Sequence, residues 1–404
     1  MNFLLILLLF SIWRIFDFLI IFFSQKVIPY LGFFSYKDDL PGFNLPNWLS
    51  SLANFDGIHY IKIAKNGYSQ YEQAFFPLYP ILIKFLTPFF FNNQLLTGVI
   101  ISNVSFLLGL FIFIKYLRLL STNSNYFQPF ITVFFLILFP TSFFFGAVYT
   151  EGLFFLLIVS TLYFLKKESY PLVTIFAFLA SLTRLVGVFL IIPILFHLIQ
   201  KLKVKNPSFA KASENKQNYK LKLKSLQHLI FNTKYFLLIL SPLFGLGIYC
   251  FYLWKTTGDP FFFFTSQSAF GANRSTHLIL LPQVYWRYFK IFITAAHDPR
   301  FYVSVIEFFI FNFVFVILIL DLFKNLKIKN SDLFSLNLFS FVNLLLPTLT
   351  GTFLSIPRFS LISLSFFIFL SQIKNTVVKY LIIGIFLILH ILLLAFFNQG
   401  YFIS

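Results

Sequence analysis

The chain is expected to fold as an all-α, polytopic transmembrane helical bundle, and three observations predict it. Hydrophobic residues make up 59% of its 404 positions and charged residues only 11%, with a mean hydropathy of +0.85, which places it among membrane proteins. Apolar runs near membrane-spanning length recur from end to end. The Lys and Arg residues sit in short connectors between those runs, as in cytoplasmic loops. The net charge of +18 is therefore dispersed and gathers on no soluble face, so nucleic acid is not an expected partner. The 65 Phe residues read as lipid-facing and core bulk. Cys250 stands alone, which excludes an intramolecular disulfide and a cysteine metal cage.

Phe3 to Phe23 is long enough to span, and no small-residue cleavage site follows it, so it is expected to be a retained first helix. Arg14 and Asp17, three residues apart on one helical face, can neutralise each other inside a bundle. Further apolar spans run over Leu95–Tyr116, Phe130–Ala147, Gly152–Leu165, Pro171–Leu182, Val186–Ile199, Tyr235–Trp254, Tyr302–Leu322, Leu333–Leu349, Phe359–Leu370 and Val377–Phe397. That makes about eleven.

Orientation decides the ambiguous segments. Lys115 with Arg118, Lys166 with Lys167, the Lys201–Lys234 stretch, Lys324 with Lys327 and Lys329, and Lys374 with Lys379 all lie on the cytoplasmic side only under two conditions. Pro171–Gln200 must cross twice, turning near Thr183 and Arg184, and Phe76–Phe91, which carries Pro77, Pro80, Lys84 and Pro88, must not cross. The chain then reads as one integral-membrane domain, 1–404. It has a first outer loop over 25–94, a basic cytoplasmic linker over 201–234 and a second outer loop over 255–301. Asp56, Glu151, Arg184, Gly258-Asp259-Pro260 and Arg358 all fall at the outer ends of helices.

The richest segment is Asn54 to Tyr68 with Ala74 to Pro80, which places a lone carboxylate, Asp56, in the first polar stretch after a span. A membrane-embedded sugar transferase would hold its base there, because a sugar hydroxyl needs a carboxylate in hydrogen-bond reach to take its proton. A helix N-cap is the alternative for Asp56. On a helix, Asp56 shares a face with Tyr60 and Ile63. Glu151 is read equally as a favourable charge at a helix start, a sugar-hydroxyl ligand or a partner for Arg184. Arg184 and Arg358 offer guanidinium groups suited to bidentate phosphate binding; a structural ion pair is the alternative for Arg184, and Arg358 at a helix start calls for a compensating anion such as Glu151. His59, one turn from Asp56, is a secondary candidate. Asp259 and Gln267 form a possible secondary donor site, with a simple turn as the other reading of Asp259. Asp38 and Asp39, beside Pro41 and Gly42, read as a solvated turn. No metal-ligand spacing and no phosphate-binding glycine loop is present, so no cofactor is expected, with dependence on a divalent metal left open.

In order and spacing these elements resemble the GT-C class of integral-membrane glycosyltransferases and, within it, the mannosyltransferases similar to GPI mannosyltransferase 2 (PIG-V-like). The elements are Phe55-Asp56, Tyr60, Ile63-Ala64, Gly67-Tyr68 and Phe75-Phe76-Pro77-Leu78-Tyr79-Pro80. They continue with Phe144, Tyr149-Thr150-Glu151, Thr183-Arg184 with Gly187, Gly258-Asp259-Pro260 with Gln267, and Pro357-Arg358-Phe359. Phe55 stands where Trp is usual and Phe359 where Tyr is more usual. The resemblance implies an inverting transfer of mannose from a polyprenyl-phosphate donor to a glycan or glycolipid acceptor. Asp56 would be the base, on the extracytoplasmic face of the cell membrane. The loop Lys255–Arg300, with Trp286 and Arg287, is the expected place of acceptor selection. The competing class is a transporter or lipid-linked sugar flippase, which would place ionisable groups at the midplane and show repeated halves; no internal repeat is visible. A non-catalytic assembly subunit is the third reading.

Overall fold

The computed structural model describes residues 3–32, 34, 37–121, 129–205, 233–270, 274, 275 and 277–403, and among them the chain is helical with no strand. The expected cytoplasmic linker lies, over 206–232, outside the described residues. The longer helices are α1 (Phe3–Val27), α2 (Asp56–Asn66), α3 (Leu78–Leu86), α4 (Gln94–Ser121), α5 (Pro129–Leu138), α6 (Glu151–Lys166) and α7 (Tyr170–Thr183). They continue with α8 (Ile191–Lys205), α9 (Thr233–Thr257), α10 (Leu281–Thr294), α11 (Pro299–Ile328), α12 (Ser331–Leu345), α13 (Leu364–Ser371) and α14 (Thr376–Asn398).

Among the described residues six stretches are long and apolar enough to cross a bilayer: Phe3–Val27, Gln94–Ser121, Tyr235–Thr257, Pro299–Ile328, Ser331–Thr350 and Thr376–Asn398. The chain is a multi-pass, all-α membrane protein. The reading of about eleven spans also counted shorter apolar helices such as α5, α7 and α8. A helix of ten residues rises only ~15 Å, half the hydrocarbon thickness.

α7 and α8 form a hairpin. α7 ends at Thr183, Arg184 is extended (φ −156, ψ 146), and the 3-10 turn Leu185–Leu190 returns the chain so that Lys201 Nζ donates to Tyr170 OH at 2.8 Å. Gly187 makes the reversal possible, since a Cβ there would stand 2.5 Å from the Ala180 backbone. The chain thus reverses direction at Arg184, where the sequence predicts a turn. At the far end of this hairpin Lys201 also pairs with Glu168, and Lys166 with Asp332.

α4 and α6 pack along their length. Gly152 allows it, because a Cβ would meet Ser102 O at 2.5 Å, and Phe106 lies flat on Phe145 with centroids 4.1 Å apart. Among lipids such close packing and cross-helix hydrogen bonds replace the hydrophobic effect as the force between helices. Tyr79 OH supplies one of these bonds, donating to Gly98 O at 2.9 Å, and Ser102 Oγ donates to Tyr149 O at 3.1 Å.

Arg14 and Asp17 pair as their spacing suggests, Nη1 to Oδ2 at 2.8 Å. Asp17 has a further partner that the sequence hides: His390 Nε2 on α14, 2.8 Å from Oδ1. This sealed cluster joins the first and last spans. Asp39 pairs with Lys62 at 2.8 Å in a turn at the surface, in keeping with its reading as a solvated turn.

Candidate active site

The site begins at a strained residue. Phe55 adopts φ 58, ψ −115, a region that non-glycine residues enter at a cost of about 1–3 kcal/mol. Aromatic packing holds it there, with Phe34, Phe402 and Phe397 at centroid distances of 4.7, 5.1 and 5.8 Å. Asn54 beside it is fixed from both sides: its Nδ2 donates to Phe397 O at 2.9 Å, and its carbonyl accepts from Tyr149 OH at 2.7 Å. Asp56 is the first residue of α2, and the N-cap position before it is taken by Phe55.

Instead, Asp56 Oδ2 accepts from Arg358 Nη1 at 2.7 Å, across 302 residues of sequence. Arg358 Nε stands 3.5 Å from Glu151 Oε1, and Arg184 Nη1 donates to the same Oε1 at 2.6 Å. Asp56, Arg358, Glu151 and Arg184 therefore form one alternating chain of charge. Its inner members are covered, with side-chain exposures of 2% for Glu151 and 9% for Arg358, whereas Asp56 at the end is 27% exposed. The anion that Arg358 calls for is supplied by both Asp56 and Glu151. Glu151 Oε2 is buried and has no hydrogen-bond partner among the described residues.

Phe359 lies between the two cations, 4.7 Å from the Arg184 guanidinium and 5.4 Å from that of Arg358. Arg358 also sits over Tyr149 at 5.2 Å and Phe144 at 5.5 Å. Cation–π contacts of this kind partly replace lost hydration. Burial by itself would raise the Asp56 pKa. Arg358, through charge and hydrogen bond, followed by His59 and Arg274, brings it below the ordinary carboxylate value. Tyr60 is buried against Phe75, Tyr79 and Tyr149; burial first, then Glu151 and Asp56, push its pKa up, so it stays a neutral hydroxyl.

His59 pairs with Glu72, Nδ1 to Oε1 at 3.1 Å, and stacks on Phe75 at 5.1 Å. Glu72 was not singled out from the sequence, although it lies within the same loop. Asp259 keeps to itself: its Oδ1 accepts from Phe261 N at 2.8 Å in an exposed turn, the simpler of its two readings. Gln267 lies half-buried in the 3-10 turn Ser266–Phe270, apart from the charge chain. Glu307 and Arg274 were also missed. Glu307 is buried and accepts from Tyr288 OH at 3.0 Å and Ser355 N at 3.3 Å, tying α10 to the turn that carries Arg358. Arg287 donates to Gly351 O at 3.1 Å, at the end of the preceding 3-10 turn Pro347–Thr350, and Trp286 is exposed. Among the described residues no group of three or more His, Cys, Asp or Glu side chains is placed to hold a metal.

The multi-pass helical bundle thus brings two carboxylates and two arginines together. The family model for Mannosyltransferase (PIG-V) matches residues 14–260, more than half of the chain, and the protein belongs to that family. It is a membrane-embedded mannosyltransferase. No curated protein and no solved structure gives a match. Asp56, Glu151 and Arg184 fall inside the matched region; Arg358, Glu307 and Arg274 lie beyond it.

Proposed function

We propose that the protein transfers mannose from a polyprenyl-phosphate donor to a glycan or glycolipid acceptor, by a single inverting displacement at the extracytoplasmic face. The observation that carries this reading is the chain Asp56–Arg358–Glu151–Arg184, whose most exposed member is a carboxylate. The acceptor hydroxyl attacks the anomeric carbon while Asp56 takes its proton. The bond from that carbon to the phosphate oxygen breaks, and the lipid phosphate leaves with the electron pair. Arg358 and Arg184 provide positive charge for the leaving phosphate, and Glu151 holds both in place. The unpartnered Glu151 Oε2 is available to a sugar hydroxyl. Arg358 has two roles, because its bond to Asp56 lowers the basicity of that carboxylate. As negative charge grows on the departing phosphate it draws Arg358 toward itself, and Asp56 becomes the stronger base when the proton is lost.

The experiment supplies labelled polyprenyl-phosphate mannose and a glycolipid extract to the purified protein in liposomes, comparing wild type with Asp56→Asn. Transfer by wild type that the variant loses supports the reading. Equal transfer by both removes Asp56 from the chemistry, and movement of lipid-linked sugar across the bilayer without transfer would favour a flippase.

A further inference from the structure

Two carboxylates and two guanidinium groups make the charge chain neutral before any substrate arrives. A lipid phosphodiester adds one negative charge, and a neutral cluster gives it no net attraction. An anion bound by Arg358 alone would have to displace Asp56. A further cation is needed, and one lies on the outer loop.

Arg274 is bracketed by two anchors. Upstream, Phe270 packs edge-on against His59 at 5.2 Å and against Phe75 at 5.1 Å. Downstream, Ser275 N donates to Thr350 O and Ile279 N to Leu349 O, both at 2.9 Å. The first anchor is one helical turn from Asp56; the second leads into the turn that carries Arg358. Arg274 is attracted by Asp56 and Glu307 and repelled by Arg358. No carboxylate of a described residue pairs with it, whereas Arg184 and Arg358 are both engaged. The balance of its surroundings differs accordingly. Burial lowers the Arg274 pKa and the distant carboxylates do not offset it; Arg358, equally subject to burial, is raised by Asp56 and Glu151. A charge held near the site with too little compensation is a standing demand for an anion.

The geometry points to Arg274 as the residue that receives the phosphate of the lipid-linked donor, a proposal that rests on the reading of the site given above. Arg274 binds the phosphate while Arg358 remains on Asp56, so the donor docks before the base is released. A guanidinium suits this task, since it keeps its charge and can meet two phosphate oxygens at once.

The test measures binding of polyprenyl phosphate to the full-length protein in nanodiscs, alongside mannose transfer, for wild type, Arg274→Gln and Arg274→Lys, with thermal midpoints to confirm folding. Arg274→Gln is expected to weaken binding about 10- to 100-fold, the range for losing a charge-assisted hydrogen bond. It should raise the donor KM in step and leave the acceptor KM within about twofold, while Arg274→Lys keeps part of the affinity. Binding by Arg274→Gln equal to wild type overturns the assignment and, if wild type transfers mannose, leaves the transferase reading standing. Binding that depends on Arg274 without transfer by wild type keeps the assignment and removes the donor reading. No binding by wild type overturns the assignment.

Discussion

Two clusters of opposite charge sit in this molecule, and their settings differ. Arg14, Asp17 and His390 lie within the spans, with Asp17 and His390 at 0% exposure. Asp56, Arg358, Glu151 and Arg184 lie at one end of the bundle and finish on a carboxylate 27% exposed. Both contain short ion pairs, so the presence of salt bridges does not separate architecture from chemistry. Access does: a sealed group can only hold helices together, while a partly open one can meet a substrate.

The largest expected effect tests that contrast directly. Asp56→Asn should reduce kcat by about 10²–10⁴, the contribution of a positioned general base, without lowering the thermal midpoint; a wild-type rate would place the chemistry elsewhere. Asp17→Asn should do the opposite. Removing one partner leaves Arg14 buried without compensation, at a cost of about 3–5 kcal/mol, read as a lower midpoint, while the molecules still folded keep their rate within about twofold.

A pH profile sharpens the comparison further. The depressed Asp56 pKa keeps the carboxylate ionised as pH falls through the ordinary carboxylate range, so the acid limb of kcat/KM should lie below that range. In Arg358→Gln the burial that raises the pKa persists and the offsetting cation is gone, so the limb of the remaining activity should move to higher pH. An unmoved limb would mean that another group titrates. The smallest effect belongs to Asp259→Asn: Asn makes the same turn, and both midpoint and rate should stay near wild type, within ~0.5 kcal/mol.

Much of this arrangement was legible in the sequence. Hydropathy gave the helical membrane class, and the placement of Lys and Arg required the reversal at Arg184. Arg14 and Asp17 are three residues apart, so helix geometry alone pairs them. Glu151 and Arg184 were one option among others until the fold joined them. The Asp56–Arg358 bond spans 302 residues and no local pattern encodes it; the two drew notice as isolated charges at helix ends. His390 was hidden because a lone histidine in an apolar helix gives no sign of its partner. Glu307 lay inside a span counted only for its hydropathy, and Arg274 in a loop read for its aromatic residues. The strain at Phe55 is a backbone property that residue type does not announce.

The bond between Asp17 and His390 also sets a schedule. The two residues are 373 positions apart, and a ribosome working at about 5–20 residues per second needs roughly 20–75 s to go from one to the other. Through that interval the first helix holds an ionisable pair in the membrane without the imidazole that completes it. The nascent chain therefore has reason to keep α1 sheltered by the insertion machinery or by early neighbours such as α4, and to close the bundle only when α14 has emerged.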